Sequence, residues 1–169
     1  MCIRDSAYNP TPNVADHTRR SVYVFIRRNV PYPMLEVFDM ASAQQVHSKR
    51  DVTTTAPQAL TLINDDLYYQ WSEALAGRVI KDAGNDFNAD FDRLYQLLYG
   101  RSPDPWEKDT LQTFLSAQEK TIAEQKAAGK PIAAPAGFTE TAQLSATRAA
   151  AFVDLVHAMA NSNEFTYRF

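Results

Sequence analysis

Apolar side chains recur along this chain mostly at intervals of three and four, the spacing of one face of a helix. Leu60, Ile63, Leu67, Trp71, Leu75 and Val79 form the longest such run. Phe91, Leu94, Tyr95, Leu97 and Leu98 form a second, and Leu111, Phe114, Leu115 and Ile122 a third. Ala149, Phe152, Val153, Val156 and Met159 form a fourth. Period-two alternation is confined to residues 21–26, inside "RRSVYVFIRRN". That segment admits either element. Its β-branched and aromatic content suits a strand, while Val22, Phe25 and Ile26 share one helical face and Arg27 and Arg28 suit a helix C-terminus. Helix is the favoured reading.

Polar punctuation sets the boundaries. Residues 7–17 read as an entering loop, and "VPYP" breaks the chain before a short helix, Met34 to Phe38, with Pro33 at its start. Thr55-Ala-Pro-Gln58 matches a reciprocal capping box: the Thr55 side chain accepts from the Gln58 amide, and Gln58 reaches back to the Thr55 amide. Asn64-Asp65-Asp66 interrupts the run from Leu60, so the spacing predicts one helix to about Ile63 and another from Asp66 to about Asp82. Gly84 fits a left-handed stop. Asp104-Pro-Trp-Glu107 is a second capping box. Residues 129–138 hold two glycines and two prolines and read as an exposed loop or insertion. The last helix is expected to begin between Glu140 and Ser145 and to end at Asn161. The class is mainly α: an irregular multi-helix bundle with long loops.

At 169 residues, 45% of them hydrophobic, the chain suits one domain or part of a larger one. The formal net charge of −3 argues against a general nucleic-acid binder. No apolar run approaches the roughly 18 residues needed to cross a bilayer. The opening "MCIRDS" looks like a translated sequencing adapter, so residues 1–6 are set aside as an artefact and 7–169 are taken as a single helical domain, the C-terminal part of something longer. With residues 1–6 goes Cys2, the only cysteine, and with it any disulfide or cysteine-based metal site.

Candidate chemistry is thin. His17, His47 and His157 are far apart and sit in no metal-ligand pattern. No nucleophile elbow or Gly-rich phosphate loop occurs, and five glycines are too few for a backbone phosphate cradle. Asp65-Asp66, Asp90 with Asp92, and Asp104 with Glu107 all coincide with expected helix starts, so capping is favoured over catalysis. Arg19, Arg20, Arg27, Arg28, Lys49 and Arg50 have three readings. They form a solvated face, or inward bidentate clamps on groups such as Asp65, or an anion site where Lys49 and Arg50 meet the helix start at Thr55. Tyr32, Phe38, Tyr68, Tyr69 and Trp71 suggest an aromatic platform for sugars, but Trp71 continues the Leu67–Leu75 stripe and reads better as core.

"RRSVYVFIRRNVPYPMLEVFD", "TTTAPQALTLIND", "LYGRSPDPWEKDTLQTFL" and "LVHAMANSNEF" stand in the order of a known family. From about residue 8 to Phe169 the chain resembles the bacterial domain of unknown function fifteen-fifty-three, the C-terminal PSD domain. Members often show Thr-Pro-Leu-Gln-Ala-Leu where this chain has Thr55-Ala-Pro-Gln-Ala-Leu60, and a proline where it has Asp66. The resemblance implies a module ending long exported bacterial proteins, in the periplasm or cell envelope. It commonly stands behind another domain of unknown function and a c-type cytochrome. Haem c would belong to that upstream part, since this fragment has no Cys-x-x-Cys-His motif and no cofactor is expected in it. The upstream domain of the same protein is the expected partner, with polysaccharide a second. Arg20, Arg50, Thr55, Gln58, Asn64 and Asp65 are the motif positions that would make a polar cluster. Two functions follow. One is a non-catalytic scaffolding or recognition module. The other is part of a carbohydrate-active or redox enzyme whose remaining groups lie upstream. A deep pocket joining Arg20, Arg50 and Asp65 would favour the enzyme. An apolar patch is expected around residues 7–40, where upstream sequence would pack.

Overall fold

A computed structural model describes residues 12–13, 20–23, 25, 30–42, 44–49, 51–84, 87–140 and 144–166. Seven α-helices and no strand lie among them: α1 Pro33–Val37, α2 Ala56–Asn64, α3 Asp66–Ala83, α4 Phe87–Leu98, α5 Pro105–Ala127, α6 Ala146–Ala160 and α7 Asn163–Thr166. The mainly α class is therefore what the chain adopts. It divides into two compact units, Met1–Thr61 and Leu62–Phe169, with α2 beginning in the first and ending in the second.

In the first unit Ser21–Tyr23 make a single 3-10 turn. Residue 24 and residues 26–29, on which the helix reading of that segment also depended, lie outside the described residues. Pro33 opens α1, where a missing N–H costs nothing.

The second unit is built around α6. Nine of its residues are buried, from Ala149 to Ala160, and it packs most extensively against α5 and α3. Phe91 and Leu94 of α4, Leu115 of α5 and Phe152 of α6 are among its largest fully buried side chains. Each such side chain contributes about 1.5–3 kcal/mol relative to exposure. Helix α3 starts where the acidic break predicts: Asp65 is its N-cap, accepting from the amides of Leu67 and Tyr68. It stops at Gly84, whose φ of 72° places it in the left-handed region glycine tolerates, with its amide on the Ile80 carbonyl.

Two apolar assignments need correction. Trp71 is 47% exposed and Leu60 and Ile63 lie on the surface as well. Within α3 the run advances in steps of four, each about 40° further round, so Trp71 stands about 100° from the buried line. The buried line of α3 runs through Ser72, Ala76 and Val79. Phe114 is also exposed, because the buried side of α5 follows Leu111, Leu115 and Ile122.

Residues 129–138 carry no helix or strand, and the segment is tied down. Pro135 is buried, Ile132 packs against the core, and the Ala136 amide donates to the Glu73 carbonyl at 3.1 Å. Gly77 makes this possible: a Cβ there would stand 2.3 Å from the Ala136 carbonyl oxygen. An alanine in an open mid-helix position stabilises by roughly 0.5–1 kcal/mol over glycine. At Gly77 the sign reverses. Gly77→Ala is expected to lower unfolding free energy by about 1–3 kcal/mol, as overpacking does. Urea titration of the two proteins checks it, and a gain in stability would remove the docked loop from the description.

Candidate functional site

Three polar constellations stand out. The first lies within the first unit. Gln58, buried in the first turn of α2, points its side chain back toward the loop that precedes the helix. Its Oε1 accepts from the Thr55 amide at 3.1 Å, the backward half of the capping box. The Gln58 amide itself goes to the Thr55 carbonyl rather than the hydroxyl. Gln58 Nε2 lies 3.1 Å from the Val37 carbonyl, 3.2 Å from Thr53 Oγ1 and 3.4 Å from Asp39 Oδ2. Asp39 in turn accepts from the Thr53 amide and hydroxyl, both at 2.7 Å. These two bonds hold Asp39 at φ 56°, a left-handed conformation that costs a non-glycine residue about 1 kcal/mol. The knot fastens the end of α1 to the start of α2.

The second constellation joins α3, α5 and α6. Tyr69 OH donates to Asp154 Oδ1 and Gln118 Nε2 to Asp154 Oδ2, each at 2.8 Å. Burial pushes the Tyr69 phenol far above its ordinary value, and the Asp154 carboxylate adds to the shift. Burial also raises Tyr68, whose hydroxyl donates to the Ala160 carbonyl at 2.9 Å. His157 sits between the two tyrosines, its ring edge-on to Tyr69 at 5.2 Å. Its Nε2 is 3.1 Å from the Leu62 carbonyl, an acceptor only, so Nε2 carries the hydrogen. This histidine is a tie between α6 and the end of α2.

The third was not anticipated. Arg101, between α4 and α5, uses every N–H it has. Nη1 and Nη2 grip Glu107 at 2.8 and 2.7 Å, Nε and Nη2 grip Glu164 at 2.7 and 2.9 Å, and Nη1 also reaches the Ser102 carbonyl at 3.3 Å. The guanidinium lies over the rings of Tyr95 and Tyr99 at 5.0 and 5.7 Å. Glu107 is buried and half of a working capping box, accepting from the Asp104 amide at 2.7 Å. Hydrogen bonds from Arg101, helped by that amide, hold its carboxyl down at about 2. Burial first, and then the Glu107 charge, push Tyr95 up to about 12. The sequence did hold a signal, an arginine six residues ahead of the capping-box glutamate. Glu164 lies 63 residues away and gave none.

The six motif residues divide between the two units, Asn64 and Asp65 falling in the second. Thr55 and Gln58 meet in the first knot, and Asp65 caps α3. Arg20 is exposed, its guanidinium 5.9 Å from the Tyr23 ring centre. Asn64 is exposed at the last position of α2, and Arg50 lies outside the described residues. Lys49 is exposed, and the Thr53 amide nearby is taken by Asp39. A surface hollow in the second unit is lined by Asp82, Ala83, Ala89, Asp92, Arg93 and Gln96, none of them a motif residue. Among the described residues no group of three His, Cys, Asp or Glu is placed to hold a metal ion. No helix there is long and apolar enough to cross a membrane.

Fold and constellations together define a mainly α, multi-helix module whose polar side chains are spent on joining its own elements. The chain belongs to the PSD1 family, proteins of unknown function (DUF1553), whose model matches residues 4–115. That span holds the first three of the four motifs quoted above and ends inside α5; the fourth, at 155–165, lies beyond it. No curated protein and no solved structure matches the chain.

The Arg101 fork makes ordered predictions. Arg101→Ala strands the buried Glu107 and is expected to cost about 1.5–3 kcal/mol, whereas Glu164→Gln, on a half-exposed partner, costs under about 1 kcal/mol. The folded Glu107 carboxyl titrates near 2, below its ordinary 4.5, so its contribution is complete above pH 4.5. That contribution is lost as pH falls from there through about 2. Urea unfolding of Glu107→Gln across that window is expected to show a flatter pH dependence than the parent chain.

Proposed function

We propose that this chain is a non-catalytic helical module of an exported bacterial multidomain protein, one that docks a partner. The first unit carries the reading, because it leaves large apolar side chains in the open around a knot of polar ones. Asp39, Thr53, Thr55 and Gln58 bond to one another. Val22, Phe25, Val46 and Val52 are all at least 75% exposed. Large apolar side chains left in the open are what a docking surface looks like before its partner arrives. The partner proposed is further sequence of the same protein, in the periplasm or cell envelope, with any haem c carried there. The spent donors of Arg101 support the non-catalytic half of the reading, since its guanidinium has no hydrogen bond to spare for a substrate.

The test is calorimetric titration of this chain with the upstream part of its reading frame, expressed separately. Saturable binding is expected, lost on Val22→Ser with Phe25→Ser while the thermal midpoint of the chain stays put. The same preparation is incubated with neutral and sulfated polysaccharides and reducing ends are counted. No binding upstream, or release of reducing ends, overturns the proposal.

A further inference from the structure

Helix α5 has two stripes, not one. Its buried side follows Leu111, Leu115 and Ile122. A second line, Trp106, Thr110, Thr113, Phe114, Ala117 and Thr121, is exposed along its whole length. At about 100° per residue these six positions fall within an arc of about 100°. The threonines are less polar than their type suggests. Thr110 donates its hydroxyl hydrogen to the Trp106 carbonyl, Thr113 to Asp109 and Thr121 to Ala117, each four residues back. With those hydrogens on the backbone, the hydroxyls have no donor left for water or a partner. The stripe is therefore an apolar band about 22 Å long on a 23-residue helix.

We propose that this band pairs with the same band of a second copy of the chain, antiparallel and about a two-fold axis. The pattern is self-complementary in that orientation. Centred between Thr113 and Phe114, the pairing sets Trp106 against Thr121, Thr110 against the small Ala117, and Thr113 against Phe114, using all six positions. Charge agrees. Asp109 and Lys120, both exposed, flank the band on the same edge near opposite ends. Antiparallel helices bring like edges together, so Asp109 of each copy comes within half a turn of Lys120 of the other, inside the reach of a lysine stem. A parallel pairing would put the two Asp109–Lys120 edges on opposite sides of the contact and lose both attractions. One helix face of this length lies at the small end of specific interfaces, so the association is weak and concentration-dependent. It uses the second unit alone and stands apart from the docking proposed for the first.

Sedimentation velocity of the full chain under reducing conditions, from micromolar to millimolar, is expected to show a mass rising from one copy toward two. Asp109→Lys and Lys120→Asp are each expected to weaken association about tenfold, and the two combined to restore it. Both residues are exposed, and thermal midpoints measured alongside should coincide. A single-copy mass at every concentration, or association that ignores the single reversals, overturns the proposal without touching the docking assigned to the first unit.

Discussion

Helix α6 has almost no outward side, and the second unit follows from that constraint. Buried residues run nearly without interruption from Ala149 to Ala160. A helix surrounded by others must be narrow where they approach and bulky where they leave space. The run Ala149-Ala150-Ala151 supplies the first, and Phe152 and Val153 the second. Helices α3, α4 and α5 each bring one apolar face, and in one cluster Ala76, Val79, Phe91, Leu94, Leu111 and Leu115 meet Ala150, Phe152, Val153 and Val156. The first six of these residues lie within the stretch matched by the family and the last four beyond it. The matched stretch thus closes its core on sequence that it does not itself contain.

Burying α6 creates a second requirement. Its last four carbonyls have no partner inside the helix and are cut off from much of the solvent. Each is answered by a named group. Asn161 turns its amide and side chain to His157, and its amide is also shared with Ala158. The Tyr99 hydroxyl and the Ser162 amide take Met159, and the Tyr68 hydroxyl takes Ala160. Of the aromatics that suggest a sugar platform in the sequence, Tyr68 is explained here: it caps a buried helix end from 92 residues away.

Local features were legible in the sequence and remote ones were not. Asp65, Gly84, Asp104 and Ser145 mark helix ends within a residue or two of where they fall, because a cap acts on its own neighbours. The Thr55–Gln58 pair was visible for the same reason, but Asp39 and Val37, which complete its knot, come from another element. Trp71 was misplaced because a run in steps of four drifts around a helix, which sets it about 100° from the buried line. Gly77 offers no signal at all, since its reason is a backbone segment nearly sixty residues on. Arg101 illustrates the same limit: its near partner Glu107 was in plain view, and its far partner Glu164 was not.

The direction of the perturbed acidities bears on function. General acid–base groups work when their pKa values are moved toward the operating pH. Among the described residues the large shifts run the other way. Glu107 is drawn down to about 2 and Tyr95 pushed up to about 12, while Tyr69 and Arg101 rise further from neutrality. Each shift deepens the protonation state that a hydrogen bond already needs: an ionised Glu107 for the guanidinium, a protonated Tyr69 for Asp154. Such groups resist exchanging protons near pH 7. They are fitted to hold helices in register.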